Sequence, residues 1–341
     1  MRQIVMTSPG KIEFHEVDMP ETGADQVLLR MKRIGICGSD IHVYHGKHPY
    51  TPYPVVQGHE ASGEIVKIGS AVKGFSVGQK ATFMPQVTCG TCYPCTHGQY
   101  HICDNLKVMG FQTTGAASDY FMIPARNCIV LPEGVDYDMG AMVEPIAVAV
   151  HAVRRLGSVA GRKILVLGAG PIGNLVAQTA KGFGASRVMI TDVSDFRLSV
   201  AARCGIDKCV NSLKEDLSKA IPEFFGSEKA DGILECVGME LTMDQAIRNA
   251  RKGTDIIVVG VFGERGKVDL GLVQDRELRL IGTLMYQETD YLGALKLLAD
   301  KKIHLESLVS RHFPASEYPA AYEFIERERD KSMKIMIDFP D

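Results

Sequence analysis

Four cysteines that could hold a metal ion lie within fifteen residues of the sequence, in the stretch CGTCYPCTHGQYHIC. They are Cys89, Cys92, Cys95 and Cys103. Gaps of two residues let successive thiolates point at one centre, and a fourth thiolate completes a tetrahedron of soft ligands. A redox pair would need only two thiols, a nucleic-acid finger would carry basic residues between its ligands, and an iron–sulfur site has compatible spacing. The pattern favours a structural zinc that braces a loop.

A second, mixed set of possible ligands is spread along the chain. Cys37 lies in GICGSDIHVYHG, His59 and Glu60 lie in GHEASGEIVKIG, and Glu144 follows much later in AMVEPIAVAV. One thiolate, one imidazole and one or two carboxylates suit a zinc that keeps a position for water or a substrate. These residues therefore predict a catalytic zinc beside the structural one.

A glycine-rich turn in the second half of the chain has the pattern G-x-G-x-x-G. Its residues are Gly168, Ala169, Gly170, Pro171, Ile172 and Gly173. The turn follows the predicted strand Lys163–Leu167 and opens a helix, and the next strand, Arg187–Thr191, ends at Asp192. This context is typical of a dinucleotide site, in which the helix N-terminus receives the pyrophosphate and the acidic residue binds the ribose hydroxyls. The charge of Asp192 favours NAD over NADP, although Arg197 could tolerate a 2′-phosphate.

The pattern of apolar, polar and turn-forming residues changes near residue 150. Before it, short β-rich runs alternate with glycine, proline and asparagine; after it, short apolar runs alternate with amphipathic ones. The helix candidates in the second part are Gly173–Phe183, Asp195–Cys204, Leu213–Phe225, Leu241–Ala250 and Asp290–Lys301. Strand–helix alternation predicts a doubly wound parallel sheet. The tail adds a charged helix and a last strand, MKIMIDF. We therefore expect an α/β protein with a β-rich domain and a Rossmann domain.

Composition limits the classes of partner. The chain has 341 residues, a formal charge of −3, 45% apolar residues and 23% charged residues, which is ordinary for a globular protein of two domains. The acidic balance argues against nucleic acid and membrane surfaces as partners. The first residues lack the apolar core of a secretory signal. We expect the nine cysteines to stay reduced in the cytoplasm.

Together these motifs make the chain resemble a zinc-dependent medium-chain dehydrogenase, nearest to the sorbitol (polyol) dehydrogenase branch. The family signature G-H-E-x2-G-x5-G-x2-[VIA] is matched by Gly58, His59, Glu60, Gly63, Gly69 and Val72. The resemblance implies a GroES-like catalytic domain made of residues 1–147 and 288–341. A Rossmann NAD-binding domain of residues 148–287 would lie between these two segments in the sequence. It also implies two zinc ions per chain, one catalytic and one structural.

The resemblance assigns roles to the mixed ligand set. Cys37 and His59 would be zinc ligands, and Glu60 and Glu144 would be their carboxylate partners. One carboxylate would ligate directly and the other directly or through water, and the order stays open. Glu144 replaces the second cysteine of the classical alcohol dehydrogenases, which favours the polyol branch.

Further roles come from the same resemblance. Ser39 would accept the proton of the substrate hydroxyl and pass it through the coenzyme ribose and His42 towards solvent. The backbone at Val237, Val261 and Thr283 would hold the nicotinamide. Relatives in the family are commonly dimers or tetramers, so we expect a homotetramer or a homodimer.

The substrate is less well defined. Sorbitol dehydrogenases carry an arginine–tyrosine pair where this chain has Met285 and Tyr286, which weakens the case for sorbitol itself. We expect hydride transfer between NAD and a secondary alcohol of a polyol or a sugar acid, giving a ketone. Butanediol or threonine oxidation is the alternative within the family, and a non-catalytic protein that binds NAD and zinc is the alternative of another class.

Overall fold

The computed structural model describes residues 1–340, apart from the side chain of Asp330. Contacts divide the chain into two compact units. The terminal unit consists of Met1–Glu144 with Val309–Asp341, and the central unit is Pro145–Leu308.

The strands, in chain order, are β1 (Arg2–Ser8), β2 (Lys11–Glu16), β3 (Gln26–Ile36), β4 (Glu60–Ile68), β5 (Lys80–Phe83), β6 (Gln86–Val87), β7 (Lys107–Val108), β8 (Tyr120–Pro124), β9 (Cys128–Val130), β10 (Lys163–Leu167), β11 (Arg187–Asp192), β12 (Lys208–Asn211), β13 (Gly232–Glu235), β14 (Asp255–Val258), β15 (Arg279–Gly282), β16 (Val309–Pro314) and β17 (Lys334–Asp338). The helices are α1 (Gly38–Tyr44), α2 (Tyr93–Thr96), α3 (Tyr137–Arg154), α4 (Pro171–Gly182), α5 (Asp195–Arg203), α6 (Leu217–Phe225), α7 (Glu240–Asn249), α8 (Leu270–Asp275), α9 (Glu288–Ala299) and α10 (Tyr318–Glu328). None of the described helices is long and apolar enough to span a membrane.

The terminal unit is built on a sheet with the strand order β16-β17-β3-β4-β5-β9, and β8 also pairs with β3. All of its pairings are antiparallel except β16 with β17. The C-terminal strand lies next to β3, with Ile335 opposite Ile36. Alternate residues such as Leu29 and Met31 are fully buried in the core, as expected for strands packed against apolar neighbours.

The central unit is a six-stranded parallel sheet with the order β12-β11-β10-β13-β14-β15. Residues Ile164–Leu167 of β10 are completely buried, because helices cover both faces of such a sheet and its strands are continuously apolar. The strand order reverses between β10 and β13, the point where open α/β sheets bind ligands at the carboxyl ends of their strands. The predicted combination of a β-rich domain and a doubly wound parallel domain is confirmed.

Helix starts differ from the sequence prediction where a capping residue decides them. The helix expected from Leu213 begins at Leu217, because the Asp216 carboxylate caps it by accepting the N–H of Ser218 at 2.9 Å. The helix expected from Gly173 begins two residues earlier at Pro171, since proline fits the first helical position.

The second boundary between the units lies later than residues 287/288. Helix α9 belongs to the central unit, where the buried Asp290 accepts hydrogen bonds from His151 Nδ1 at 2.8 Å and Arg154 at 2.7 Å. These contacts bind α9 to the end of α3, a pairing that strand–helix alternation alone does not reveal.

Candidate metal centres and nucleotide site

The four-thiol cluster has the dimensions of a zinc site. One ligand atom from each of Cys89, Cys92, Cys95 and Cys103 lies within 4.8 Å of all the others. The Sγ–Sγ distances are 3.5 Å for Cys103–Cys89 and 3.7 Å for Cys92–Cys103. Thiolates in a tetrahedron with Zn–S bonds of about 2.3 Å stand about 3.8 Å apart. The donor set therefore fits zinc and leaves no open position.

Backbone groups already favour thiolates in this lobe. The N–H of Cys92 points at the Cys89 sulfur at 3.4 Å, and the N–H of Cys89 points at the Cys103 sulfur at 3.3 Å. Hydrogen bonds from Thr91 and Cys92 lower the pKa of Cys89 to about 5. Desolvation and the neighbouring thiols raise the pKa of Cys95 to about 12. A bound divalent cation would offset the desolvation and the mutual repulsion of the thiolates, so that all four cysteines could be deprotonated.

The mixed ligand set assembles in the terminal unit. Ligand atoms of Cys37, His59 and Glu60 lie within 4.8 Å of one another. Cys37 directly follows β3, and Glu60 begins β4. Because Gly35 pairs with Glu60 in the antiparallel register, Cys37 and Glu60 lie close together. Glu144, buried in α3, is near enough for its charge to raise the pKa of His59. Among the described residues, Glu60 rather than Glu144 joins the cluster.

The orientation of His59 is set by a buried polar chain. The Asp40 carboxylate lies 3.6 Å from His59 Nδ1 and accepts the N–H of Cys37 at 2.9 Å. Gln57 donates to the Asp40 carboxylate at 3.2 Å and accepts from the Tyr322 hydroxyl at 2.6 Å. This arrangement is that of a carboxylate that positions a metal-binding imidazole.

The surroundings of the His59 imidazole favour positive charge. Its buried Nδ1 makes no hydrogen bond within the described part of the chain. Burial alone lowers its pKa, but Asp40 and the Cys37 thiol outweigh burial and raise that pKa well above its usual value. A positive charge is therefore stabilised at this point, and the donor set of thiol, imidazole and carboxylate fits zinc.

The two predicted relay residues lie on α1, which begins immediately after Cys37. Ser39 is half-buried and His42 is exposed. Residues three apart on a helix lie on the same side, so the pair leads from the ligand cluster towards solvent.

An aromatic contact beside the cluster was missed by sequence reasoning. Phe111 packs on the His59 ring with centroids 4.8 Å apart and stacks on His48 at 4.9 Å. His48 Nδ1 is also 2.7 Å from the Thr51 hydroxyl. No spacing in the sequence links His48 to Phe111.

Sequence reasoning also missed Lys334. Its Nζ lies 2.5 Å from Glu60 Oε2, and both side chains are buried. The available signal was a lysine that opens a largely apolar strand, where burial requires a charged partner.

The glycine-rich loop shows why its glycines are needed. Gly168 has a φ of +98°, and a Cβ on Gly173 would lie 1.9 Å from the Gly168 carbonyl oxygen. A Cβ on Gly170, by contrast, would meet nothing within 4 Å. Gly170 is the N-cap of α4 and no side chain caps this helix, so its first turn presents backbone N–H groups to open space. This loop fits a pyrophosphate.

Asp192 binds the loop itself. Its Oδ2 accepts the N–H of Ala169 at 2.7 Å, and its Oδ1 accepts the N–H groups of Val193 at 2.8 Å and Ser194 at 2.9 Å. Ser194 caps α5 by accepting the N–H of Arg197 at 3.3 Å. The predicted ribose ligand therefore also has a structural task, and Arg197 lies one turn away from it.

The remaining predicted nucleotide contacts follow β13, β14 and β15. Val237 and Val261 lie in loops that touch, since a Cβ on Gly238 would be 2.5 Å from the Val261 carbonyl oxygen. The N–H of Thr283 bonds the carbonyl of Val258 at 3.3 Å. These residues line the carboxyl ends of adjacent parallel strands in the central unit, the edge at which such sheets bind ligands.

Comparison with known proteins places the chain in a family. Residues 23–133 match the alcohol dehydrogenase GroES-like domain, and residues 171–300 match the zinc-binding dehydrogenase domain. A 2-dehydro-3-deoxy-L-galactonate 5-dehydrogenase of Pseudoalteromonas atlantica is 36% identical over 312 residues, which cover 91% of this chain and 90% of that protein. A sorbitol dehydrogenase of Halalkalibacterium halodurans is 35% identical over 343 residues, 99% of each chain.

A solved structure agrees with this relationship. The 2R,3R-butanediol dehydrogenase of Bacillus subtilis superposes with a TM-score of 0.92 at 25% identity, covering 100% of this chain and 99% of the other. The family predicted from the sequence is thereby confirmed, whereas the roles of individual site residues stay predictions. The chain belongs to the zinc-dependent medium-chain dehydrogenases, in their sorbitol dehydrogenase-like branch.

Proposed function

We propose that the protein oxidises a secondary hydroxyl of a polyol or a sugar acid to a ketone, with NAD as the hydride acceptor. The observation that carries this proposal is the cluster of Cys37, His59 and Glu60, one thiol, one imidazole and one carboxylate within 4.8 Å. A mixed set of three ligands leaves a position for a substrate oxygen. The relatives named after sugar-acid and sorbitol oxidation support the substrate class.

The chain's own residues divide the work. Cys37, His59 and Glu60 would hold the zinc, with Glu144 nearby. When bound, zinc polarises a hydroxyl oxygen and lowers its pKa. Ser39 Oγ accepts the hydroxyl proton and gives up its own, which the exposed His42 on the same helix passes to solvent. Asp40 keeps His59 in orientation.

Asp192 supports NAD as the coenzyme rather than NADP. The carboxylate at the end of β11 would bind the ribose hydroxyls and repel a 2′-phosphate. Gly168, Gly170 and Gly173 would let the pyrophosphate approach the first turn of α4. Val237, Val261 and Thr283 would contact the nicotinamide.

A second substrate class is favoured by one observation. Met285, at the place of the polyol-binding arginine of sorbitol dehydrogenases, has a positive φ of 53°, and the following Tyr286 is fully buried. An apolar residue here suits a diol with fewer hydroxyl groups, such as butanediol. Threonine is the other alternative within the family.

The test is reduced-nicotinamide formation from NAD with polyols, aldonates, butanediols and threonine, before and after zinc chelation. We expect turnover on polyols or aldonates that chelation abolishes and zinc restores. Turnover on butanediols alone would favour the second class. NAD binding without turnover on any of these substrates would favour a non-catalytic protein.

We also propose that the protein is a cytoplasmic homodimer or homotetramer. None of the nine cysteines of the described chain forms a disulfide, which suits a reducing compartment. Among the described residues β15 pairs only with β14, and the adjoining Leu284 is 55% exposed. An open edge beside an exposed leucine suits pairing with a second copy. Light scattering tests this, and Leu284→Lys should weaken the assembly.

A further inference from the structure

A buried ion pair adjoins the proposed zinc ligands. Lys334 Nζ lies 2.5 Å from Glu60 Oε2 and donates to the Ile36 carbonyl at 3.2 Å. The side chains of Lys334 and Glu60 are 4% and 1% exposed. Two charges removed so completely from water are expensive to bury, and an apolar pair of similar volume is often at least as stable. The pair therefore invites a functional explanation.

The backbone leaves space for this contact. A Cβ on Gly35 would lie 2.4 Å from Glu60 Oε2 and 3.4 Å from Lys334 Cδ. Gly35 lies in β3 and has no positive φ, so its backbone conformation does not require glycine. What requires it is the close approach of the carboxylate and the lysine stem.

The lysine faces the whole ligand cluster. Strand β17 runs beside β3, with Ile335 opposite Ile36, so Lys334 lies next to Cys37. The charges of Glu60, Cys37 and Glu144 all act on its ammonium group. Lys334 is thus a fixed cation within a site that collects anionic ligands.

We propose that Lys334 is a positioning residue that holds one oxygen of Glu60, so that Glu60 offers the zinc a single oxygen and a coordination position stays open for substrate. This inference rests on the proposed zinc-dependent function. A carboxylate that grips the metal with both oxygens would fill that position. A charge-assisted hydrogen bond from an ammonium group is strong enough to compete for one of them.

The proposal predicts an unusual direction of effect. Lys334→Met keeps the length of the side chain but removes its charge and its donor. Glu60 is then free to bind the metal with both oxygens, and the repulsion between the ammonium group and the dication is lost. We expect zinc at this site to bind about tenfold more tightly or better, while turnover falls about tenfold or more.

The measurement is zinc retained by the intact protein across a series of chelator concentrations. The same series on Cys37→Ser gives the zinc retained by the four-thiol lobe, which is subtracted. Cobalt-loaded protein provides a second readout, because visible absorption bands of cobalt weaken as its coordination number rises. Lys32→Met, which removes a lysine of the same burial from neighbouring β3, is the matched control and should leave zinc retention unchanged.

Each result decides the question. The proposal is supported if Lys334→Met retains zinc more tightly and shows weaker cobalt bands. Lys334→Arg keeps the positive charge and should retain zinc as the wild-type protein does. Zinc retention that is unchanged or weaker, with unchanged cobalt bands, overturns it. If Lys334→Met does not fold, Lys334→Gln keeps a neutral donor and should shift retention in the same direction. Metal effects as expected in a wild-type protein that turns over no alcohol would leave this inference standing and overturn the proposed function instead.

Discussion

Asp192 has two tasks at the nucleotide loop, so a variant made to change coenzyme preference should also lose stability. Asp192→Ala removes the negative charge that would repel a 2′-phosphate. It also removes the acceptor of three backbone N–H groups, those of Ala169, Val193 and Ser194, at 2.7, 2.8 and 2.9 Å. The usual expectation for this substitution concerns the coenzyme alone.

The size of the loss follows from the burial of the three donors. Ala169 is completely buried, and a buried N–H without an acceptor costs about 1–3 kcal/mol. Val193 is 54% exposed, so water can replace the carboxylate at its N–H, and the partly exposed Ser194 is similar. These two together contribute about 1 kcal/mol. Asp192→Ala should therefore lower the free energy of unfolding by about 2–4 kcal/mol.

Chemical denaturation measures the stability, and kcat/KM with each coenzyme measures the preference. We expect the ratio of kcat/KM with NAD to kcat/KM with NADP to fall at least about tenfold, which corresponds to 1.4 kcal/mol. Asp195→Ala is the control, since this nearby carboxylate binds the side chains of Asn211 at 2.7 Å and Lys214 at 2.5 Å, and its loss should lower stability much less than the loss of Asp192. Wild-type stability of Asp192→Ala with a changed coenzyme ratio would refute the loop-holding task.

Three further substitutions test other parts of the structure. Gly173→Ala should lose NAD binding by calorimetry and about 1–3 kcal/mol of stability, because its Cβ would lie 1.9 Å from a carbonyl oxygen; Gly170→Ala, with open space around its Cβ, should keep its stability, and equal stability losses in both would contradict this. Cys95→Ser should lose the zinc of the four-thiol lobe and expose that loop to hydrogen exchange while the other zinc remains; full zinc content would exclude a four-thiolate site. Burial alone would raise the pKa of Asp290, but hydrogen bonds from His151, the Gln287 backbone and an arginine hold it below its usual value. Asp290→Asn should therefore lower stability at neutral pH and reduce the stability lost as pH falls below about 4; an unchanged acid profile in urea titrations would argue against this.

Local motifs account for what the sequence could predict. The spacing of Cys89, Cys92 and Cys95 and the turn from Gly168 to Gly173 are read within a few residues, and the structure places them as expected. Strand–helix alternation likewise indicated the parallel sheet of the central unit.

Contacts between distant residues could not be predicted in this way. Tyr322 and Gln57 are 265 residues apart, and Phe111 meets His48 and His59 only through the folding of the terminal unit. The contacts of Asp290 with His151 and Arg154, which lie in the same unit as α9, join residues 139 and 136 positions apart. Single-sequence periodicity describes which face of an element is apolar, but it does not say which other element covers that face.

The position of β17 in the terminal sheet has a consequence for biosynthesis. Glu60 and its partner Lys334 are separated by 274 residues, which a ribosome adds in about 14–55 s at ordinary rates of synthesis. During that interval the carboxylate has no lysine, and the nascent chain already carries Cys37 and His59. The central unit is contiguous in sequence, from Pro145 to Leu308, so it can fold before β17 has been made. If Lys334 has its proposed role, a nascent chain would therefore offer an unrestrained carboxylate to any divalent cation that it meets until β17 emerges and pairs with β3.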